Sequence, residues 1–70
     1  MKLKDAIKVM EEKRPVVYVF GQNIIEYKQI NSIIIRMESG EPKAMAELQD
    51  KNTEKAISTV YLDRIYEKGE

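Results

Sequence analysis

Pro15 divides the sequence into two parts that have different hydrophobic periods. Before it, apolar residues recur at the spacing of one helical face: Leu3, Ala6, Ile7 and Met10. After it, the chain is rich in β-branched and aromatic residues that alternate with polar ones over short runs. Proline also biases the residue before it away from helical backbone. The sequence therefore predicts an amphipathic helix at residues 3–13, followed by a β-rich region.

Turn signals divide the region after Pro15 into short strands. The runs 16–20 and 24–27 flank a Gly-Gln-Asn turn, and the longer run 32–39 ends in a Ser-Gly-Glu-Pro turn at 39–42. The polar residues 28–31 interrupt the pattern before the longer run and indicate a bend or a bulge.

The segment 43–50 fits either a helix or a strand, because its residues are good helix formers but its apolar side chains alternate. Turns close to both of its ends favour a strand paired to 32–39. The run 55–61 alternates again, and 62–68 is compatible with one helical turn followed by a last short strand.

Strands of this length, with no second helix to cover a flat sheet, bury most apolar surface by curling. We therefore expect a mainly β (α+β) fold in a single domain spanning residues 1–70. An N-terminal helix at 3–13 would precede a small SH3-like antiparallel barrel of four to five strands at 15–68. An open antiparallel sheet with the helix across one face is the alternative.

Three consecutive isoleucines within residues 31–39 set a packing problem, because successive side chains of a strand point to opposite faces. Ile33 and Ile35 are expected to face the interior, so that Ile35→Asp would prevent folding by burying an unpaired charge. Ile34 then points outward among polar neighbours. Its cover is expected to be either the helix or a second copy of the chain.

Composition restricts the chemistry that this chain can perform. It contains no Cys and no His, so it has no thiolate nucleophile and lacks the commonest general base and metal ligand. The acidic pairs Glu11–Glu12 and Asp50–Glu54 are interpreted as solvated surface groups. The sequence therefore predicts a protein that is not an enzyme, with no cofactor and no metal. Its 12 basic and 12 acidic residues cancel, which disfavours nucleic acid as a partner.

Four tyrosines near basic residues are the most informative polar and aromatic groups. On a small barrel they could form a groove for a peptide or a stacking surface, although each ring could instead lie partly in the core. The residues predicted to contact a partner are Tyr18, Tyr27, Lys28, Ile34, Arg36, Tyr61 and Arg64. The first hypothesis is a binding or adaptor domain for a protein or peptide. The alternatives are a self-associating accessory subunit and, less favoured, a weak nucleic-acid binder.

The segments LKDAIKVMEE, PVVYV, INSIIIRM and YLDRI resemble short uncharacterised proteins of prophages and mobile elements in Gram-positive bacteria. This resemblance implies an SH3-like barrel behind a leading helix and carries no catalytic or binding residue. No apolar run reaches the roughly 18 residues of a membrane span. Charged residues also interrupt the N-terminal segment, unlike a signal peptide. We therefore expect a cytoplasmic protein without a membrane segment.

Overall fold

The computed structural model describes residues 1–68, in which one helix precedes five strands. The elements are α1 (Leu3–Glu11), β1 (Val16–Phe20), β2 (Asn23–Glu38), β3 (Glu41–Asp50), β4 (Ile57–Tyr61) and β5 (Ile65–Glu67). A 3₁₀ turn, Leu62–Arg64, connects β4 to β5 and is called the 62–64 link below. The predicted N-terminal helix and the strand at 43–50 are confirmed. Runs 24–27 and 32–39, predicted as separate strands, belong to one long strand.

The helix ends two residues before the predicted boundary, in a turn that reverses the chain. Lys13 adopts a left-handed backbone with φ of 54°. Its N–H donates to the carbonyl of Met10, and the N–H of Arg14 donates to the carbonyl of Val9, each over 3.1 Å. These two bonds form a Schellman motif, which satisfies the last helical carbonyls. The chain then enters β1 directly after Pro15.

All strands belong to one antiparallel sheet in the order β4-β3-β2-β1-β5. Two-residue turns form the first two hairpins, with Phe20 opposite Asn23 and Glu38 opposite Glu41. Gly40, at φ of 80°, follows Ser39, which also has a positive φ. Such paired left-handed residues match the right-handed twist of the flanking strands in a type I′ turn.

The polar residues within β2 form the irregularity that the sequence predicts there. The register between β2 and β3 shifts twice, between Tyr27 and Gln29 and between Ile30 and Ser32. Asn31 lies at this bulge, where its amide accepts from Gln29 over 3.1 Å and donates to Gln49 of β3 over 2.8 Å. These side-chain hydrogen bonds therefore connect the bulged strand to β3 and satisfy the polar groups that form them.

The sheet is open but strongly curved. A flat sheet would hold β4 and β5, its two edge strands, four strand spacings or about 19 Å apart. The chain nevertheless connects Tyr61 to Ile65 through the 62–64 link, and four residue steps span at most about 14 Å. The sheet must therefore curl to bring its edges together at this end. No ladder joins β4 to β5 within residues 1–68, so the closed SH3-like barrel is not confirmed.

The helix packs onto the face of the sheet that carries the core. Ala6 and Val9 are fully buried in that core, whereas Leu3 and Ile7 remain exposed. The predicted buried face of the helix is therefore right for Ala6 and Met10, which pack in or against the core, and wrong for Leu3 and Ile7, since the buried face is rotated toward Val9. The other members of the core are Val16, Tyr27, Ile30, Ala46, Leu48, Leu62 and Ile65.

The isoleucine run is placed differently from the expectation. Ile33 packs against the core, opposite Ala46 of β3. Ile35 shares its face but is 55% exposed, because it lies toward the free end of the β2–β3 hairpin, beyond the buried residues. Ile34 is half-buried on the other face, opposite Met45, and is not part of the cluster that contacts the helix. The helix therefore does not cover Ile34.

Substitutions of Leu48 and Ile35 should change the free energy of unfolding to different extents, because Leu48 lies in the core and Ile35 lies beyond it. We expect Leu48→Ala to lower the free energy of unfolding by about 2–5 kcal/mol, because Leu48 is completely buried. Ile35→Ala should change it by about 0.5 kcal/mol or less. Ile35→Asp should still fold, contrary to the expectation from the sequence. Urea denaturation followed by circular dichroism measures all three variants; an unfolded Ile35→Asp would show that this side chain is covered.

Candidate functional site

A depression of about 330 Å³ lies where β1 and β4 approach each other on the curved sheet. These strands are not neighbours in the sheet order, so only the curvature brings their side chains together. The lining side chains are aromatic or apolar except for two: Tyr18, Phe20, Met45, Thr59, Val60, Tyr61 and Arg64. We call this set the aromatic depression. Its size lies at the lower end of the range of ligand pockets.

Two rings of β1 form one wall of the aromatic depression. Tyr18 and Phe20 lie two residues apart and therefore on the same face of the strand. Their ring centroids are 6.3 Å apart with an interplanar angle of 23°, a stacked arrangement. Met45 of β3 contributes a thioether and is only 8% exposed. Thioether sulfur contacts aromatic rings favourably and adapts to irregular shapes, so this lining is suited to an apolar or aromatic group.

Tyr61, at the end of β4, is held by an acidic residue of the β2–β3 hairpin. Its hydroxyl donates to both carboxylate oxygens of Glu38, over 2.8 and 3.0 Å. This hydrogen bond raises the pKa of Tyr61 above its ordinary value, and the negative charge of Glu38 adds to the effect. The positive charge of Arg36 acts in the opposite direction. The ring of Tyr61 is therefore oriented, although it is 42% exposed.

The structure brings together three of the seven residues predicted to contact a partner. Tyr18, Tyr61 and Arg64 all line the aromatic depression. Two others lie on the same face as Met45 and Tyr61: Ile34 is opposite Met45, which is opposite Tyr61, and Arg36 follows two residues after Ile34. Arg36 and Arg64 make no ion pair with any residue of the described part.

Tyr27 and Lys28 do not belong to this surface. Tyr27 is a core residue, 8% exposed, and its hydroxyl donates to Ser58 Oγ over 3.2 Å. The structure therefore places Tyr27 in the core, on the helix-covered face, and not on the exposed surface of the sheet. Lys28 is exposed on β2 and does not line the depression.

Phe20 and Met45 were not among the residues predicted to contact a partner. Phe20 could have been found from the sequence, since it lies two residues after Tyr18 in an alternating strand. Met45 could have been found only from the register that sets it opposite Ile34. That register follows the two bulges in β2, whose exact positions are not visible in the residue pattern.

A larger groove, of about 550 Å³, runs between the helix and β5. Two of its charged groups pair with each other, since Arg14 contacts Glu67 over 2.6 Å, and Arg14 also contacts Glu12 over 2.8 Å. Glu26 of β2 similarly pairs with Lys68 and Lys51, and the hydrogen bonds from these two lysines lower its pKa. These ion pairs hold the last strand to the body of the fold.

Both edges of the sheet are open to a further strand within the described residues. β4 pairs with β3 on one side only, and β5 pairs only with β1. The sequence of β4, ISTVY, contains no charge and no proline. Lysine, proline and inward charges are among the devices by which proteins protect an edge strand from unwanted pairing. β4 carries none of them, and Ile57 and Tyr61 are exposed on it.

Comparisons of the chain with protein-family models, curated proteins and solved structures find no match. The resemblance to prophage proteins therefore stays a prediction. Within residues 1–68, no helix has the length and apolar character needed to cross a membrane. The same residues contain no group of three or more acidic side chains close enough to hold a metal ion.

The contact between Tyr61 and Glu38 predicts an alkaline titration. A tyrosine whose folded-state pKa is raised contributes stability that is present below its ordinary pKa and is lost as pH rises through the raised value. We expect the Tyr61 ring signals in NMR spectra to titrate above the ordinary tyrosine range. Glu38→Gln should lower that pKa, whereas Glu41→Gln on the same hairpin should not. An unchanged Tyr61 titration in Glu38→Gln would contradict the hydrogen bond in solution.

Proposed function

We propose that this protein is a non-catalytic binding domain that accepts an extended segment of a protein partner along the edge of β4. The observation that carries the proposal is the unprotected edge: β4 has one neighbour, no charge and no proline. In strand addition, main-chain hydrogen bonds provide affinity and pockets for alternate side chains provide specificity. The open edge would supply the main-chain hydrogen bonds, and the aromatic depression at its C-terminal end would supply a side-chain pocket.

The side chains of β4 fit this use. Ile57, Thr59 and Tyr61 are exposed on one side of the strand, while Ser58 and Val60 are partly buried on the other. Ser58 accepts the hydrogen bond of buried Tyr27, and Val60 packs against the core. The inner side chains of β4 therefore hold the strand in place, so its edge is already ordered. This lowers the conformational entropy that is lost when a partner binds.

The absence of His and Cys from the sequence supports a role without catalysis. The predicted cytoplasmic location and the mobile-element origin implied by the resemblance remain part of this proposal. The SH3-like barrel also belongs to it: the 62–64 link holds the two sheet edges near each other, and this curvature is what supports a barrel-like architecture. Nucleic acid remains less favoured, since the net charge is zero.

A second candidate function is self-association, because the same chain carries two open edges. The β5 edge of one copy could pair with the β4 edge of the next, a head-to-tail contact that gives a ring if the rotation closes and a filament if it does not. Tyr66 on β5 and Ile57 on β4 are both exposed. This contact would bury apolar groups near the edges, rather than Ile34, for which the sequence predicts the helix or a second copy as cover.

Peptide selection followed by an edge substitution tests the primary proposal. Peptides selected from a random library on the immobilised protein should protect the β4 amide protons from hydrogen exchange. Ile57→Lys places a charge on the edge and should weaken their binding at least tenfold. The matched control is Ile24→Lys, since Ile24 is 70% exposed but lies on β2, opposite Val19 of β1 and away from the β4 edge. Peptides that protect other residues, or that bind Ile57→Lys equally well, would refute the use of this edge.

Sedimentation velocity over micromolar to millimolar protein concentrations separates self-association from binding of another protein. If β4 pairs with β5 of a second copy, the wild type should show a species larger than the monomer, and Ile57→Lys should remove it while Ile24→Lys retains it. A monomer at every concentration would exclude the second candidate and leave the primary proposal in place.

A further inference from the structure

We infer that the aromatic depression binds a large apolar or aromatic side chain of the partner strand, and that an acidic residue of that strand contacts Arg64. This inference rests on the proposed use of the β4 edge and specifies the chemistry of the segment bound there. The depression is continuous with the edge, because Thr59, Val60 and Tyr61 of β4 are among its lining residues. A strand added along β4 would therefore run past its opening.

The lining selects the kind of side chain that would enter. The stacked rings of Tyr18 and Phe20 and the thioether of Met45 offer apolar and polarisable surface with few hydrogen-bonding groups. A polar side chain would lose its hydration there without adequate replacement, which costs free energy. An aromatic ring would gain both buried area and the preferred offset or edge-to-face contacts. A volume of about 330 Å³ has room for one such side chain rather than for a large cofactor.

The charges around the depression specify the neighbouring residue. Arg64 is the one charged side chain that lines it, and it is exposed and forms no ion pair with residues 1–68. The carboxylate of Glu38 is already occupied, because it accepts a hydrogen bond from the hydroxyl of Tyr61. Arg36, which lies two residues before Glu38 on the same face, also acts on Tyr61. Arg64 is thus available to pair with a carboxylate of the partner, through the paired hydrogen bonds that guanidinium groups form.

Three blocked peptides with the same alternating threonine background test this inference. The first carries one phenylalanine and one glutamate on the same side of the strand, the second replaces the phenylalanine by alanine, and the third replaces the glutamate by lysine. NMR titration of the labelled protein should give at least tenfold weaker binding for the second and third peptides. The first should shift the signals of Met45, Tyr61 and Arg64.

Two variants complete the experiment. Arg64→Gln should remove the preference for glutamate over lysine while retaining the preference for phenylalanine over alanine. Lys28→Gln is the matched control, because Lys28 is exposed but does not line the depression, and it should retain both preferences. Equal binding of the three peptides, or retention of the glutamate preference by Arg64→Gln, would overturn the inference.

Hydrogen exchange at β4 separates this inference from the proposed function. Protection of β4 without a preference among the three peptides would support strand addition and refute the side-chain specificity. A preference for the first peptide without protection of β4 would support the depression as a binding site and refute strand addition. The absence of binding by all three peptides at millimolar concentration, in both the wild type and the control variant, would contradict the inference, and the library selection would then decide the proposed function.

Discussion

The short connection between β4 and β5 is the constraint on which the rest of the structure depends. Five strands laid flat would separate the two edges by more than the 62–64 link can span. The sheet therefore has to curl, and curling encloses the face that carries Ile30, Leu48 and Ile65. A chain of 70 residues buries little surface in absolute terms, so this enclosure, with α1 across it, lets a small set of side chains form a dry core.

The same curvature creates the aromatic depression. Tyr18 belongs to β1 and Tyr61 to β4, and two strands lie between them in the sheet. They line one depression because the sheet curls while remaining open. A ladder joining the two edges would take up the free hydrogen-bonding groups of β4. The incomplete closure therefore accounts both for the free edge and for the opening beside it.

The order of elements could be predicted from the residue pattern, because each boundary has a local physical cause. Pro15 ends the helical region, Gly21 and Gly40 adopt positive φ in the hairpin turns, and the polar residues near Asn31 mark the bulges. These signals act over a few residues and survive any tertiary arrangement. One helix followed by an antiparallel succession of hairpin-connected strands was therefore accessible from the sequence, whereas the continuity of β2 through its bulges was not.

The placement of side chains could not be predicted to the same extent, because it depends on where the core ends. Alternation correctly assigns Ile33 and Ile35 to one face, but only the three-dimensional extent of the core shows that Ile35 lies beyond it. Tyr27 and Tyr61 each end a run predicted to be a strand, yet Tyr27 is buried and Tyr61 is exposed. Likewise the pattern allows the helix to bury either Leu3 and Ile7 or Val9, and only its packing on the sheet shows that Val9 is the buried residue.

The composition of β4 bears on whether its edge is used. β1, which pairs on both sides, reads VVYVF and has no charge or proline. β5, the other edge, is three residues long and contains Glu67, followed by Lys68. Among the two edges, β5 thus has the shortness and charge that discourage further pairing, while β4 has the composition of a strand with neighbours on both sides. An uncharged strand rich in β-branched and aromatic residues is the kind of segment that pairs with further strands when its edge is free.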